Sequence, residues 1–184
     1  MPSQSQKLFV FVAENAPIAV VIRKEKSGSA ECYEVIKWDM TTNEFVEGQW
    51  LMNKQLYIKG CAISPDGQLF GWVYNQYWVN AKAYAGVSRI PYFTADLFGT
   101  SAGRWFGVEF DEDSNPLASE FNFEQRTECH IPLSEKPARP SGLQPETFTT
   151  KDGSTIVLDQ YKIICDGVEI YDATENKFAN RKLP

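Results

Sequence analysis

The feature that most constrains the fold is a series of short apolar runs separated by turn-forming residues. Residues 8–12 and 18–22 carry only aromatic and aliphatic side chains, and Asn15 and Pro17 lie between them. Runs of this length and composition are typical of β-strands joined by a turn. Because both runs are apolar at every position, we expect both faces of these two strands to be covered.

The same alternation of strands and turns continues along the chain. Residues 33–38 and 45–52 are interpreted as two strands joined by a polar turn, and Gly48 marks a bend or bulge in the second of them. Residues 55–63 are interpreted as one further strand, which ends at the motif Ser64-Pro-Asp-Gly67. That motif predicts a tight turn, because proline fixes one φ angle and glycine supplies a positive φ.

Residues 69–74 alternate between large rings and smaller side chains. Phe70, Trp72 and Tyr74 are interleaved with Gly71 and Val73. Since successive side chains of a strand point to opposite faces, this period of two predicts three aromatic rings on one face of a sheet and smaller residues on the other.

The C-terminal part of the chain begins with a proline-rich segment. Residues 132–145 contain four prolines, which remove backbone donors and favour an extended connector. A subdomain boundary, if the chain has one, is expected there. Residues 147–171 predict three or four short strands with hairpin turns at Asp152-Gly153 and Asp166-Gly167. The spacing from Asp172 to Glu175 is that of a capping box and predicts a short terminal helix.

These patterns together predict a mainly antiparallel, all-β fold. We expect a single domain over residues 1–184, arranged as a small propeller-like, sandwich or barrel array of short strands with at most one or two short helices. A chain of this length can bury roughly 70% of the surface that its unfolded state exposes, so it needs no disulfide or metal to hold it together.

Composition excludes several classes of partner. The formal net charge of -6 argues against nucleic-acid binding, which depends on lysine and arginine neutralising phosphates. The longest apolar runs are far shorter than the roughly 20 residues that span a bilayer, so no membrane partner is expected. The four cysteines lack CxxC spacing and the N-terminus lacks a basic and apolar leader, which favours a reducing, cytoplasmic setting. These cysteines are Cys32, Cys61, Cys129 and Cys165.

The strand, turn and strand of residues 60–74, with Ser64-Pro-Asp-Gly67 at the turn, resemble a unit of the blades of WD40-like and TolB-like β-propellers. Trp38-Asp39 is similar to the dipeptide that closes a WD40 strand, although the Gly-His partner of that signature is absent. The resemblance implies a propeller of about four blades of roughly 40 to 45 residues each. A second resemblance, over Gly48-Gln-Trp50 and residues 61–67 and 88–95, is to bacterial proteins of no assigned activity and implies no site residues.

The side chains that could act in catalysis offer little support for an enzyme. His130 is the single histidine, which excludes mechanisms with two imidazoles and most His-rich metal sites, and we expect neither a metal nor a cofactor. Cys61 with His130 brought close by folding is one alternative for a small hydrolase. A pair of carboxylates is another. The candidate carboxylates are Glu109, Asp111, Glu120 and Glu124. The loop from Asp111 has the first spacings of a calcium loop, but Pro116 replaces its glycine and Asn122 its bidentate glutamate.

The best-supported group of candidate binding residues is aromatic. All five tryptophans lie between Trp38 and Trp105, and the types of side chain in this stretch are those enriched at interface hot spots. The candidate binding residues are Trp72, Tyr74, Tyr77, Trp78, Arg89, Tyr92 and Trp105. In one interpretation the alternating rings fill the core and Arg89 meets loop carbonyls. In the other the residues form a recognition surface, with Tyr77 and Trp78 the better candidates for exposure.

The function that this pattern favours is a non-enzymatic interaction module. We expect its aromatic surface to meet a protein partner or a second copy of the chain, because unpaired edge strands also favour a homodimer. A small hydrolase is the first alternative. A carbohydrate-binding domain with Trp72 or Trp78 as a stacking platform is the second.

Overall fold

The computed structural model describes residues 7–27, 30–75, 82–102, 107–117 and 121–174. Over these residues the chain forms three antiparallel sheets and one 3-10 turn at Ile58–Gly60, which confirms the all-β prediction. Within the same ranges no sheet closes into a barrel or a propeller, and the sheets stack as open layers. The turn signals and the β-branched runs therefore produce local meanders, each of which must bury a face against another layer.

Sheet A is a four-stranded meander built from the first four strands in chain order. They are β1 (Lys7–Val12), β2 (Ile18–Ser27), β3 (Ala30–Asp39) and β4 (Glu44–Met52). The pairing of β3 with β4 shifts register so that Gly48 and Gln49 lie opposite Val35 alone. This is a β-bulge, where the sequence predicted a bend or bulge at Gly48.

Sheet B follows the order β10-β9-β8-β7-β5, and β6 also pairs with β7. Its strands are β5 (Gln55–Leu56), β6 (Ala62–Ile63), β7 (Leu69–Asn75), β8 (Lys82–Arg89), β9 (Leu97–Ala102) and β10 (Asn122–Gln125). The motif at residues 64–67 forms the predicted turn before β7: Gly67 has a φ of 71° and donates its N–H to the Ser64 carbonyl at 2.9 Å. The Ser64 hydroxyl accepts the N–H of Leu69 at 2.9 Å.

The interpretation of residues 55–63 as one strand is wrong. Leu56 pairs with Tyr74 and Ala62 pairs with Gly71, so the chain advances six residues while its partner strand advances three. The 3-10 turn at Ile58–Gly60 absorbs the excess, and the Gly60 carbonyl accepts the N–H of Val108 at 2.9 Å. The apolar pattern alone contains no signal for this interruption, which depends on contacts with later residues.

Sheet C is a second meander, in the order β11-β12-β13-β14. Its strands are β11 (Thr147–Thr149), β12 (Thr155–Asp159), β13 (Lys162–Cys165) and β14 (Val168–Asp172). Gly153 and Gly167 have φ angles of 93° and 81°, as the two Asp-Gly hairpin turns require. The terminal helix predicted from Asp172 lies outside the described residues from position 175 onward.

Sheet A is the middle layer of the stack. Phe11 and Val20 pack toward sheet B, in a cluster that contains Phe70. Their neighbours on the opposite face, such as Val21, pack toward sheet C in a cluster that contains Ile163. This arrangement confirms that the uninterrupted apolar runs are covered on both faces.

The proline-rich connector runs along the edge of sheet A. Leu143 forms an isolated bridge with Phe11, and the Gly142 carbonyl accepts the N–H of Val12 at 2.8 Å. Gln144 donates its N–H to the Val10 carbonyl at 2.8 Å, so the connector pairs with the outer edge of β1. Among the described residues, no helix has the length and apolar character needed to cross a membrane.

Candidate aromatic site on sheet B

One face of sheet B carries a row of aromatic rings that crosses three strands. Tyr74 of β7 lies directly opposite Tyr84 of β8, and their ring centroids are 5.2 Å apart in a stacked arrangement. Phe98 of β9 continues the row, with its centroid 6.0 Å from that of Tyr84. All three rings are partly buried, because the rest of the same face packs against sheet A.

Trp72 anchors this row at its buried end. Its side chain is only 4% exposed, and its ring stacks on Tyr74 with centroids 5.8 Å apart. The indole N–H donates to the Ser88 hydroxyl at 2.6 Å, which satisfies the only polar atom of the side chain. Gly86 lies opposite on β8, and a Cβ at that position would stand 2.6 Å from the indole Cη2 atom. The ring therefore occupies the space that the glycine leaves.

Two cations lie over the row. The Lys54 ammonium is 5.2 Å from the Tyr74 ring centroid, and the Arg126 guanidinium is 5.5 Å from the Phe98 centroid. Burial, and then the neighbouring Tyr84, raises the pKa of the Tyr74 phenol, so its hydroxyl stays neutral at physiological pH and can both donate and accept. The face thus combines flat apolar rings with a neutral hydroxyl and a positive border.

The structure brings only part of the predicted aromatic set together. Trp72 and Tyr74 share this face, as the alternation in β7 predicted. Arg89 is the last residue of β8. It has the same alternation as Ala85 and Val87, which lie on the face of sheet B opposite to the aromatic row. Its side chain is 64% exposed, and its guanidinium contacts the Cys129 sulfur at 2.5 Å.

Of the other four predicted residues, only Tyr92 lies within the described part of the chain. Tyr92 is 50% exposed in the loop after β8, where its N–H donates to the Arg89 carbonyl at 2.8 Å. Tyr77, Trp78 and Trp105 lie outside the described residues.

Sequence reasoning missed Tyr84 and Phe98. The signal for Tyr84 was present, because it alternates with Ala83 and Ala85 as the rings of β7 alternate with small residues. Residues 81–86 contain few large apolar side chains, so the sequence alone does not distinguish a strand there from a loop. Phe98 could be assigned to this face only after the pairing of β9 with β8 was known.

The hydrolase alternatives find little geometric support in the described residues. Cys61 is buried between sheets A and B, its sulfur lies 3.4 Å from the Tyr57 carbonyl, and burial raises its pKa to about 12. His130 is exposed, and its neighbour Ile131 packs on the opposite face of sheet B. A thiol of this kind remains protonated, and in the described structure the exposed His130 does not lie in the buried cluster around it.

Two of the four candidate carboxylates, Asp111 and Glu124, have structural roles in the described part of the chain, and Glu120 lies outside the described residues. The Asp111 carboxylate is buried and accepts the N–H groups of Asp113 and Asn115 at 2.9 Å each, so it shapes its own loop. Glu124 pairs with Arg126 at 3.0 Å on the surface. No group of metal-ligating side chains is present among the residues that the structure describes.

No protein-family model matches the chain, and neither does any curated protein or solved structure.

Proposed function

We propose that this chain is a non-enzymatic binding module whose aromatic face on sheet B receives a protein partner or a second copy of the chain. The observation that carries the proposal is the stacked row of Tyr74, Tyr84 and Phe98, which is only partly buried. Tyrosine and phenylalanine supply large contact areas with few rotatable bonds, so they lose little entropy when a partner binds.

The chemistry of the row favours a peptide segment as the contacting element. The three rings lie on neighbouring strands and form a shallow strip, which matches the side chains of an extended or helical segment better than a deep pocket would. Lys54 borders the strip and favours a carboxylate on the partner, whereas Arg126 at the other end is already paired with Glu124. We therefore expect the partner to present apolar side chains with an acidic one beside them.

Selection from a random peptide display library on the immobilised protein tests the proposal. We expect selected peptides to combine aromatic or aliphatic residues with Asp or Glu, and Tyr84→Ser to weaken their binding about tenfold, or about 1.4 kcal/mol, because one ring of the row is lost. The matched control is Tyr161→Ser, which removes a partly buried tyrosine from the turn between β12 and β13 of sheet C. This control should leave peptide affinity unchanged.

Light scattering of the same variants distinguishes the two kinds of partner. If a second copy is the partner, the wild type will be a dimer and Tyr84→Ser a monomer. If the wild type is a monomer, the proposal depends only on the binding of the selected peptides. Equal peptide binding by Tyr84→Ser and Tyr161→Ser would contradict it, as would selective binding of glycans in place of peptides.

A further inference from the structure

A cavity of about 470 Å³ lies between the turn ends of sheet A and the hairpin that joins β11 to β12 of sheet C. Its wall is mainly apolar and includes Val12, Ala16, Met40 and Ile156. The volume is within the range of roughly 300 to 1,000 Å³ that is typical of small-molecule sites. The cavity lies between sheets A and C, so it is separate from the aromatic face of sheet B.

The rim of the cavity carries polar groups in fixed positions. Trp38 lines the wall, and its indole N–H donates to the Asn43 side-chain oxygen at 3.3 Å. Asn43 has a φ of 57°, a left-handed conformation that asparagine tolerates better than most residues. The hydrogen bond holds the Asn43 amide at the rim, where its NH₂ group remains available to a ligand.

Asp152 gives the rim its negative charge. One carboxylate oxygen accepts the Thr150 hydroxyl and also the Ser154 N–H at 3.3 Å. Asp152 is exposed at the mouth of the cavity, so its carboxylate stays open to solvent on the side away from these two donors. The hydrogen bonds from Thr150 and then Ser154 lower the pKa of Asp152, so the carboxylate is ionised at neutral pH.

The positive charge next to Asp152 is directed elsewhere. Lys151 also lines the cavity, but its ammonium donates to the Glu14 backbone carbonyl. On the same sheet as Asp152, burial raises the pKa of the Cys165 thiol, and the charges of Asp166 and then Asp152 raise it further. The thiol thus experiences a negative potential at the cavity wall, which favours a cation there.

From this combination of shape and charge we infer that the cavity binds a compact amphipathic amine. The apolar body of the amine lies against Val12, Met40 and Ile156, and its ammonium group donates to the Asp152 carboxylate at the rim. Burial of the body supplies affinity, and the carboxylate supplies selectivity for a cation over a neutral or anionic molecule of the same shape.

Three probes of similar shape and different charge test the inference on the full chain: 2-phenylethylammonium, 2-phenylethanol and 3-phenylpropionate. Binding is followed by calorimetry and by the NMR resonance of the Trp38 indole N–H, which reports from the cavity wall. Because Asp152 is exposed to solvent, we expect the amine to bind about three- to fivefold more tightly than the alcohol. The carboxylate should bind most weakly of the three, and the amine should shift the indole resonance.

Two substitutions and one control variant separate the contribution of charge from that of shape. Asp152→Asn keeps an oxygen for Thr150 and Ser154, and we expect it to reduce the preference for amine over alcohol to about one without changing alcohol affinity. Asp159→Asn, at the far end of β12, is the matched control and should retain the preference. Met40→Trp fills the cavity and should weaken both probes.

Failure of all three probes to bind would overturn the inference. So would equal affinity for amine and alcohol in the wild type, or an unchanged preference in Asp152→Asn. None of these results depends on the aromatic face, because Tyr84→Ser leaves the cavity intact and should bind the amine as the wild type does.

Discussion

At the scale of single residues, the aromatic face depends on one glycine. Gly86 lies across from Trp72, and the indole ring covers the glycine where a side chain would otherwise stand. The ring position also allows the indole N–H to reach Ser88. The alternation in β7 predicted which face Trp72 occupies, and one of the two interpretations of the aromatic residues placed these rings in the core. The covering sheet and the Ser88 partner were not predicted, because they lie elsewhere in the chain.

Replacement of Gly86 by alanine tests this arrangement. The added Cβ overlaps the indole, so the ring must move and its hydrogen bond to Ser88 is lost. Overpacking and the lost bond together should lower the free energy of unfolding by about 2–3 kcal/mol, measured by urea denaturation. In a Trp72→Leu background the same substitution should cost about 1 kcal/mol or less. Equal costs in the two backgrounds would show that the glycine serves another purpose.

At the scale of elements, the bulge in β4 joins sheet A to the loop after β8. Gly48 allows the Pro91 carbonyl to approach closely, and this carbonyl accepts the Gln49 N–H at 3.1 Å. The Gln49 side-chain oxygen accepts the N–H groups of Phe93 and Thr94 at 2.7 and 2.8 Å. One bulged residue thus satisfies two backbone donors of a loop that has no regular pairing of its own.

Gln49→Ala should leave both loop donors without an acceptor. We expect a loss of about 1–3 kcal/mol in the free energy of unfolding and faster amide exchange at Phe93 and Thr94. Gln49→Glu keeps an acceptor for these amides and should preserve their protection. Gln55→Ala, on an exposed position of β5, is the control for the loss of a glutamine side chain. Equal exchange at Phe93 in the alanine and glutamate variants would contradict this role.

The elements also show how far the sequence can be interpreted. Hairpins were predictable where the signal is local, as at Gly67, Gly153 and Gly167, because a positive φ is a property of the turn itself. The bulge at Gly48 was indicated by the glycine, but its contact with Pro91 was not, because that contact joins two sheets. The interruption of residues 55–63 was missed for the same reason. The candidate site was found in part, since Tyr84 and Phe98 join Trp72 only through strand pairing.

At the scale of the whole molecule, the layers differ in how completely they are enclosed. Sheet A has sheet B on one face and sheet C on the other, and β2 and β3 are also its central strands. Between sheets A and C lies a buried ionic group, in which Arg23 pairs with Glu25 and its guanidinium lies 3.9 Å from Glu34. Arg23 also donates to the Ala173 carbonyl at 3.4 Å, which connects sheet C to sheet A through a buried charge.

This enclosure predicts an order of opening that native-state hydrogen exchange can measure. Amides of β2 and β3 should exchange only through global unfolding, because their strands are paired on both edges and covered on both faces. Amides of β12 and β13 should exchange through a smaller opening, about 1–2 kcal/mol below the global value, because sheet C has one covered face. Ile163→Ala, at a fully buried position facing sheet A, should lower protection in sheet C more than in β2. Equal protection of β2 and β12, with an equal response to Ile163→Ala, would instead mean that the three layers unfold as one unit.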